Sequence, residues 1–268
     1  VSVFQSISDS SNSYSNYLDK YSTIIIKVGT NSIINENGIN KEFISKLVFE
    51  ASSLSKKKNV VIVTSGAIGL GKRKINFCGE KPFDIMTQQG LAAIGQVALM
   101  EEYQKRFDLL GINCAQVLIS QQDFQNPCCI KNIQNTFKFL FDNNVIPIVN
   151  ENDVVATEEL RTNGVFSDND ELAAMIAQKI GADLLVMLTL KNGLIGKDGS
   201  VLTRLDSKNQ LASFSCGTND GRGGIETKLN AIHLAALSNC DVIVSGPNSF
   251  DGFSKGRIKG TFCPRQIP

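Results

Sequence analysis

Two kinds of apolar pattern alternate along the chain. Continuous runs of Val, Ile and Leu bounded by turn residues mark buried parallel strands. They cover Thr23 to Lys27, Val60 to Thr64, Cys114 to Ile119, Val145 to Val149, Asp183 to Thr189 and Asp241 to Ser245. Stretches with helical spacing lie between them. Phe43, Ile44, Leu47, Val48 and Leu54 give Lys41 to Lys57 an amphipathic face. Helices are also predicted within Lys81 to Leu110, over Asn132 to Asp142, over Leu172 to Ile180, and from the glycine-rich segment at Asp220 to Leu237. Gly90 and Gly95 weaken the long helix unless something packs closely there, and helix–helix contact, including contact between subunits, is one reason to keep them. Right-handed crossovers between such strands give a parallel-rich sheet with helices on both faces. A short finishing element is expected after Gly246-Pro247.

Composition narrows the chemistry. The 268 residues suit one large α/β domain or two small ones, and 42% apolar content supports a sizeable core. A net charge of +1 gives no reason to expect nucleic acid or an anionic membrane as a partner. No apolar run approaches the length of a membrane span. The seven cysteines form no C-x-x-C pair, which suits a reducing, cytoplasmic setting. His233 is the only histidine, so a histidine-based triad or a histidine-rich zinc site is not expected, and no metal-binding side chains are assigned. The work falls to Lys, Asp, Asn, Ser and backbone N–H groups. Residues 1–20 read as an N-terminal tail, Ser- and Asn-rich at its start and without the features of a secretion signal.

Candidate chemistry clusters where strands end, which is where open α/β sheets place their sites. Lys27 closes the first strand, before the turn Val28 to Ser32. Ser65-Gly66-Ala67 follows the second, and its small residues admit a close ligand. Gly66 to Arg73 nearly matches a phosphate-binding P-loop, but Arg73 stands where a metal-binding hydroxyl is required. Asn150-Glu151-Asn152-Asp153 ends the fourth strand, and Asp168-Asn169-Asp170 opens a helix. Arg222, Gly223, Gly224, Ile225, Glu226, Thr227 and Lys228 form a glycine-rich helix start suited to a phosphate. Each segment alone also reads as an ordinary strand end, turn, helix cap or loop. Together they line one edge with two lysines, several carboxylates and two anion-binding turns. Lys27 and Lys228 could neutralise a transferring phosphoryl group, with Asp170 holding them. A carboxylate acceptor is already ionised at neutral pH, so no general base is needed.

Five of these segments, in this order, resemble the amino acid kinase family. They are Lys27-Val28-Gly29-Thr30, Thr64 to Ile68, Asn150 to Asp153, Asp168 to Asp170, and Gly223-Gly224 with Thr227-Lys228. Lys-x-Gly-Thr together with the Asn-Glu-Asn-Asp run is similar to the glutamate 5-kinase branch. The aspartate kinase and N-acetylglutamate kinase branches usually carry a second glycine where Thr30 stands. The resemblance runs from about Thr23 to Phe262. It implies an open three-layer α/β/α sandwich with a mainly parallel central sheet. It implies ATP-dependent phosphorylation of the glutamate side-chain carboxylate to glutamyl 5-phosphate, the first step towards proline.

Carried over residue by residue, Ser65, Asp153 and Asn169 would hold glutamate, and Gly66, Ala67 and Asn150 would line its pocket. Lys27 and Lys228 would stabilise the phosphoryl group and Asp170 would orient them. Thr189, Leu190 and Arg222 to Lys228 would lie along ATP, with Mg2+ bridging the phosphates. Proline is the implied feedback inhibitor, and a homo-oligomer the implied assembly. Residues 21–268 would form the kinase domain, with no C-terminal RNA-modification-type domain after it. The chain departs from the family at Leu190, where Asp is usual, and at Arg222, where Thr is frequent; the segment Ser207 to Asp220 is also compact. A related kinase for another amino acid and a non-catalytic sensor on the same fold remain as alternatives.

Overall fold

The computed structural model describes residues 15–36, 38–79, 83–155, 169–196, 199–205 and 222–265. Nine strands and eight α-helices are described within these ranges. The strands are β1 (Thr23–Val28), β2 (Ile34–Asn35), β3 (Gly38–Ile39), β4 (Asn59–Val63), β5 (Cys114–Ile119), β6 (Ile146–Glu151), β7 (Leu184–Leu188), β8 (Asp241–Ser245) and β9 (Gly260–Cys263). The helices are α1 (Ser15–Asp19), α2 (Thr30–Ile33), α3 (Lys41–Ser55), α4 (Ala67–Lys74), α5 (Ile85–Asp108), α6 (Pro127–Asp142), α7 (Asn169–Ile180) and α8 (Arg222–Leu237).

Seven strands form one sheet in the order β5-β6-β4-β1-β7-β8-β9. Every pairing is parallel except the last, where β9 returns antiparallel to β8. The central strands alternate strictly, as a period of two requires. Ile24 and Ile26 of β1 and Val60 and Ile62 of β4 join α3 and α5 in one core, with Phe43, Leu47, Leu99, Tyr103 and Phe107. Ile25, Val61 and Val63 face the other way, onto Leu172, Ile176, Ala231 and Ile232 of α7 and α8. This is the expected three-layer sandwich. Lys27 shares the parity of Ile25, so it points to the α7 side.

Several elements differ in extent from the sequence expectation. Residues 15–20, placed in the tail by sequence, include α1, and Leu18 is buried in the core. Tyr21, just beyond, donates to Asp241 at 2.8 Å; Arg265 reaches the same carboxylate from the other end of the described chain. Helix α6 begins at Pro127 rather than Asn132, because Asn126 accepts from the Cys128 and Cys129 amides and proline tolerates the first turn. The turn expected after Val28 holds the short helix α2, and β2–β3 forms a small hairpin.

Gly95 has its close contact within the chain. A Cβ there would lie 1.7 Å from the Ala67 carbonyl oxygen, so α5 rides directly on the start of α4. Gly95→Ala must push the helices apart. It is expected to cost roughly 1–3 kcal/mol, the usual range for overpacking. A thermal midpoint equal to the parent's would contradict this packing account.

Candidate active site

The polar residues gather at the C-terminal edge of the sheet, at the ends of β1, β4 and β6 and the start of α7. Lys27 lies in β1 and is 2% exposed. Its Nζ sits 2.6 Å from Oδ1 of Asp170, whose side chain is fully buried. The other carboxylate oxygen, Oδ2, lies 2.9 Å from Nζ of Lys228 on α8. Lys228 keeps 20% of its side chain exposed, so the pair opens towards solvent on that side. One carboxylate thus holds two ammonium groups, a local charge of +1 at the mouth of the edge. Burying these charges without pairing would be costly, and two ion pairs on one carboxylate make the arrangement tolerable.

Beside this triad lies a neutral network. Strand β4 runs through Thr64 into Ser65, then Gly66 turns the chain at φ 102°, a left-handed conformation that suits glycine. Nδ2 of Asn169 donates to the Thr64 carbonyl, to Oγ of Ser65 at 2.8 Å and to Oδ1 of Asn150 at 3.1 Å. Nδ2 of Asn150 donates to Oε1 of Gln96 at 2.8 Å. Thr64 shares a further buried hydrogen bond of 3.0 Å with Tyr103. Gln96 and Tyr103 both belong to α5, so this helix fastens the ends of β4 and β6. Neither was expected from sequence. The glycine at 95 was the only nearby signal, because it marked where α5 comes closest.

The remaining candidates fall as follows. Gly66 and Ala67 open α4 beside Ser65. Asp153 begins a short 3₁₀ turn just beyond β6, and Asn150 and Glu151 lie within the strand rather than after it. Thr189 follows β7; its amide donates to the Ser245 carbonyl and its hydroxyl to that of Lys191. Leu190 is exposed. Thr227 is buried one residue before Lys228. Asp168 lies outside the described residues, as do the side chains of Arg222, Ile225 and Glu226 and the segment Ser207 to Asp220; for Arg222, Gly223, Gly224, Ile225 and Glu226 only the helical backbone is described.

Arg73, which spoils the P-loop pattern, has a structural task. Its guanidinium donates to the carbonyls of Asn35 at 2.7 Å and Glu36 at 3.2 Å, fastening the β2–β3 hairpin to α4. Ile34 of that hairpin lies against Gly66; a Cβ there would meet it at 3.3 Å. The near-match is therefore a hairpin anchor beside the Ser65 turn.

Comparison with known proteins bears on the family and the fold. The sequence profile of the amino acid kinase family matches residues 22–245. A glutamate 5-kinase of Caldanaerobacter subterraneus subsp. tengcongensis is 37% identical over 260 residues, covering 91% of this chain and 68% of that protein. A glutamate 5-kinase of Enterococcus faecalis is 41% identical over 228 residues, covering 81% of this chain and 83% of that one. Among solved structures, N-acetylglutamate synthase from Neisseria gonorrhoeae is similar in fold, with a TM-score of 0.69 at 14% identity. That match covers 96% of this chain, which spans 62% of the synthase. This chain belongs to the amino acid kinase family.

Proposed function

We propose that this chain transfers the γ-phosphoryl group of ATP to the side-chain carboxylate of L-glutamate. The product is L-glutamyl 5-phosphate, in the first step of proline biosynthesis. The observation that carries the reading is the buried Lys27–Asp170–Lys228 arrangement at the strand ends. A glutamate carboxylate oxygen attacks the γ-phosphorus as the bond to the ADP oxygen breaks. The acceptor is already ionised, so no proton need move. The two ammonium groups meet the charge spread over the phosphoryl oxygens, and Asp170 keeps them in place.

The acceptor pocket is built from Ser65, Gly66, Ala67, Asn150, Asp153 and Asn169. When Ser65 accepts from Asn169, its own O–H is left to donate to a substrate carboxylate. Helix α4 starts directly after this turn, and the amides of a helix start favour an anion. Asp153 would pair with the substrate ammonium. ATP would lie along Thr189, Leu190 and the Arg222 to Lys228 helix start. Because the Asp170 oxygens are taken up by two ammonium groups, Mg2+ fits this site as a partner of phosphate oxygens rather than of that carboxylate. When bound, it would draw charge from the phosphates.

Further readings follow from the same family membership. Residues 21–268 form the kinase domain. Proline would inhibit by overlapping the glutamate site; unchanged activity with added proline at every glutamate concentration would refute this. The enzyme would be cytoplasmic, and no helix among the described residues is long and apolar enough to cross a membrane. A homo-oligomer would use the outer stripe of α5, where Met86 and Val97 are exposed and Gly90 faces open space. Light scattering that gave a monomer would refute it.

The direct test is a panel of glutamate, aspartate and N-acetylglutamate with ATP and Mg2+, trapping the acyl phosphate with hydroxylamine. Hydroxamate is expected from glutamate. Turnover of another acceptor with none on glutamate would replace this reading with a sister kinase. ATP binding without any turnover would replace it with a sensor.

A further inference from the structure

Gln96 carries a polar group that the described residues leave unmatched. Gln96 is 9% exposed and lies one residue beyond Gly95, where α5 presses on the start of α4 beside the Ser65 turn. The orientation of its amide follows from a chain of constraints. The Thr64 carbonyl can only accept, so the group of Asn169 that faces it is the donor Nδ2. That same nitrogen faces Asn150, which must therefore present its oxygen. Asn150 then presents Nδ2 to Gln96, and Gln96 answers with Oε1. This leaves Nε2 of Gln96 as a donor, and it has no acceptor among the described residues. A buried donor left unpaired is expensive, so a fold that keeps one next to Asn150, a residue of the proposed acceptor pocket, gains when a ligand supplies the acceptor.

We propose that Gln96 is a specificity-determining residue for the acceptor. Its Nε2–H donates to a carboxylate oxygen of the bound acidic amino acid, which deepens the function proposed above and rests on it. A donor in this place selects an oxygen and cannot serve an ammonium group, which has only hydrogens to offer. The three amides act as one relay: the Thr64 carbonyl orients Asn169, Asn169 orients Asn150, and Asn150 aims the Gln96 donor.

Two variants separate this role from a structural one. Gln96→Glu keeps the length and an oxygen for Asn150 but replaces the donor with a charge that repels a carboxylate. Gln96→Met keeps the volume and removes both polar atoms. A hydrogen bond to a charged group is worth roughly tenfold to a hundredfold in binding. The expected result is a KM for glutamate raised by about that factor in Gln96→Glu and by about tenfold in Gln96→Met. The kcat at saturating glutamate and the KM for ATP should stay within about threefold of the parent, the scale of an effect confined to uniform acceptor binding. Should Gln96→Glu fail to fold, Gln96→Met decides. The proposal is overturned if folded variants keep the parent's KM for glutamate. It is equally overturned if both variants lose the fold, because the side chain is then structural. A parent without glutamate-dependent ADP release overturns the proposed function as well, and is read before any variant is made.

Discussion

Asp170→Asn is expected to lower kcat roughly a hundredfold to a thousandfold, the cost of losing a preorganised charge-stabilising group. The substitution is nearly isosteric, so packing around α7 is kept while the charge is lost. Asp170 is fully buried between Nζ of Lys27 at 2.6 Å and Nζ of Lys228 at 2.9 Å. Without it, two ammonium groups face each other around a neutral amide. At a separation of about 5 Å and an effective dielectric near 20, their repulsion is about 3 kcal/mol. The accessible responses are withdrawal of Lys228 to solvent or loss of the Lys27 proton, and either removes charge from the phosphoryl group. Stability should fall too, by about 3–5 kcal/mol, because a buried charge loses its partner. Steady-state kinetics and urea unfolding read the two effects separately. A kcat within tenfold of the parent would remove Asp170 from the mechanism.

Lys228→Met is expected to separate those two effects. Lys228 is the more exposed lysine, and removing it leaves the buried Lys27–Asp170 pair intact and neutral. The stability loss should be smaller than for Asp170→Asn, since Asp170 keeps Lys27 as its partner and no buried charge is left uncompensated. The loss should appear in kcat, again roughly a hundredfold or more, with the KM for glutamate nearly unchanged. Arginine is not expected to rescue it, because its planar fork cannot replace a compact ammonium held at 2.9 Å from Asp170. A large rise in glutamate KM with kcat intact would instead place Lys228 in the acceptor pocket.

What the sequence made legible follows from where physical constraint is local. The strands β1, β4, β7 and β8 are buried on both faces, so their Val, Ile and Leu runs stand out. Lys27 was found because it interrupts such a run at its end. The hairpin β2–β3 was not legible, since strands of two residues each carry no periodicity. Its anchor, Arg73, was visible only as a residue that broke a motif; its carbonyl partners lie nearly forty positions away. The start of α6 was written at Asn126-Pro127, but the apolar spacing drew attention to a later point.

The site divides in the same way. Asp170 could be read as a helix cap or as a charge partner, and only the packing of α7 under the sheet edge decides that it is fully buried. Gln96 and Tyr103 were not legible, because a glutamine and a tyrosine in a long helix carry no motif. What gives them a role is the parity of the strands: Thr64 and Asn150 share the parity of Ile62 and Ile148, so both side chains turn towards α5.

The central claim is that two lysines held by one buried aspartate pass a phosphoryl group from ATP to glutamate. Its most direct test is ADP release by the parent and by Lys228→Ala, with ATP, Mg2+ and glutamate, and with glutamate left out. The account predicts release that requires glutamate in the parent and collapses in the variant while the thermal midpoint holds. Glutamate-dependent release that survives Lys228→Ala would contradict it.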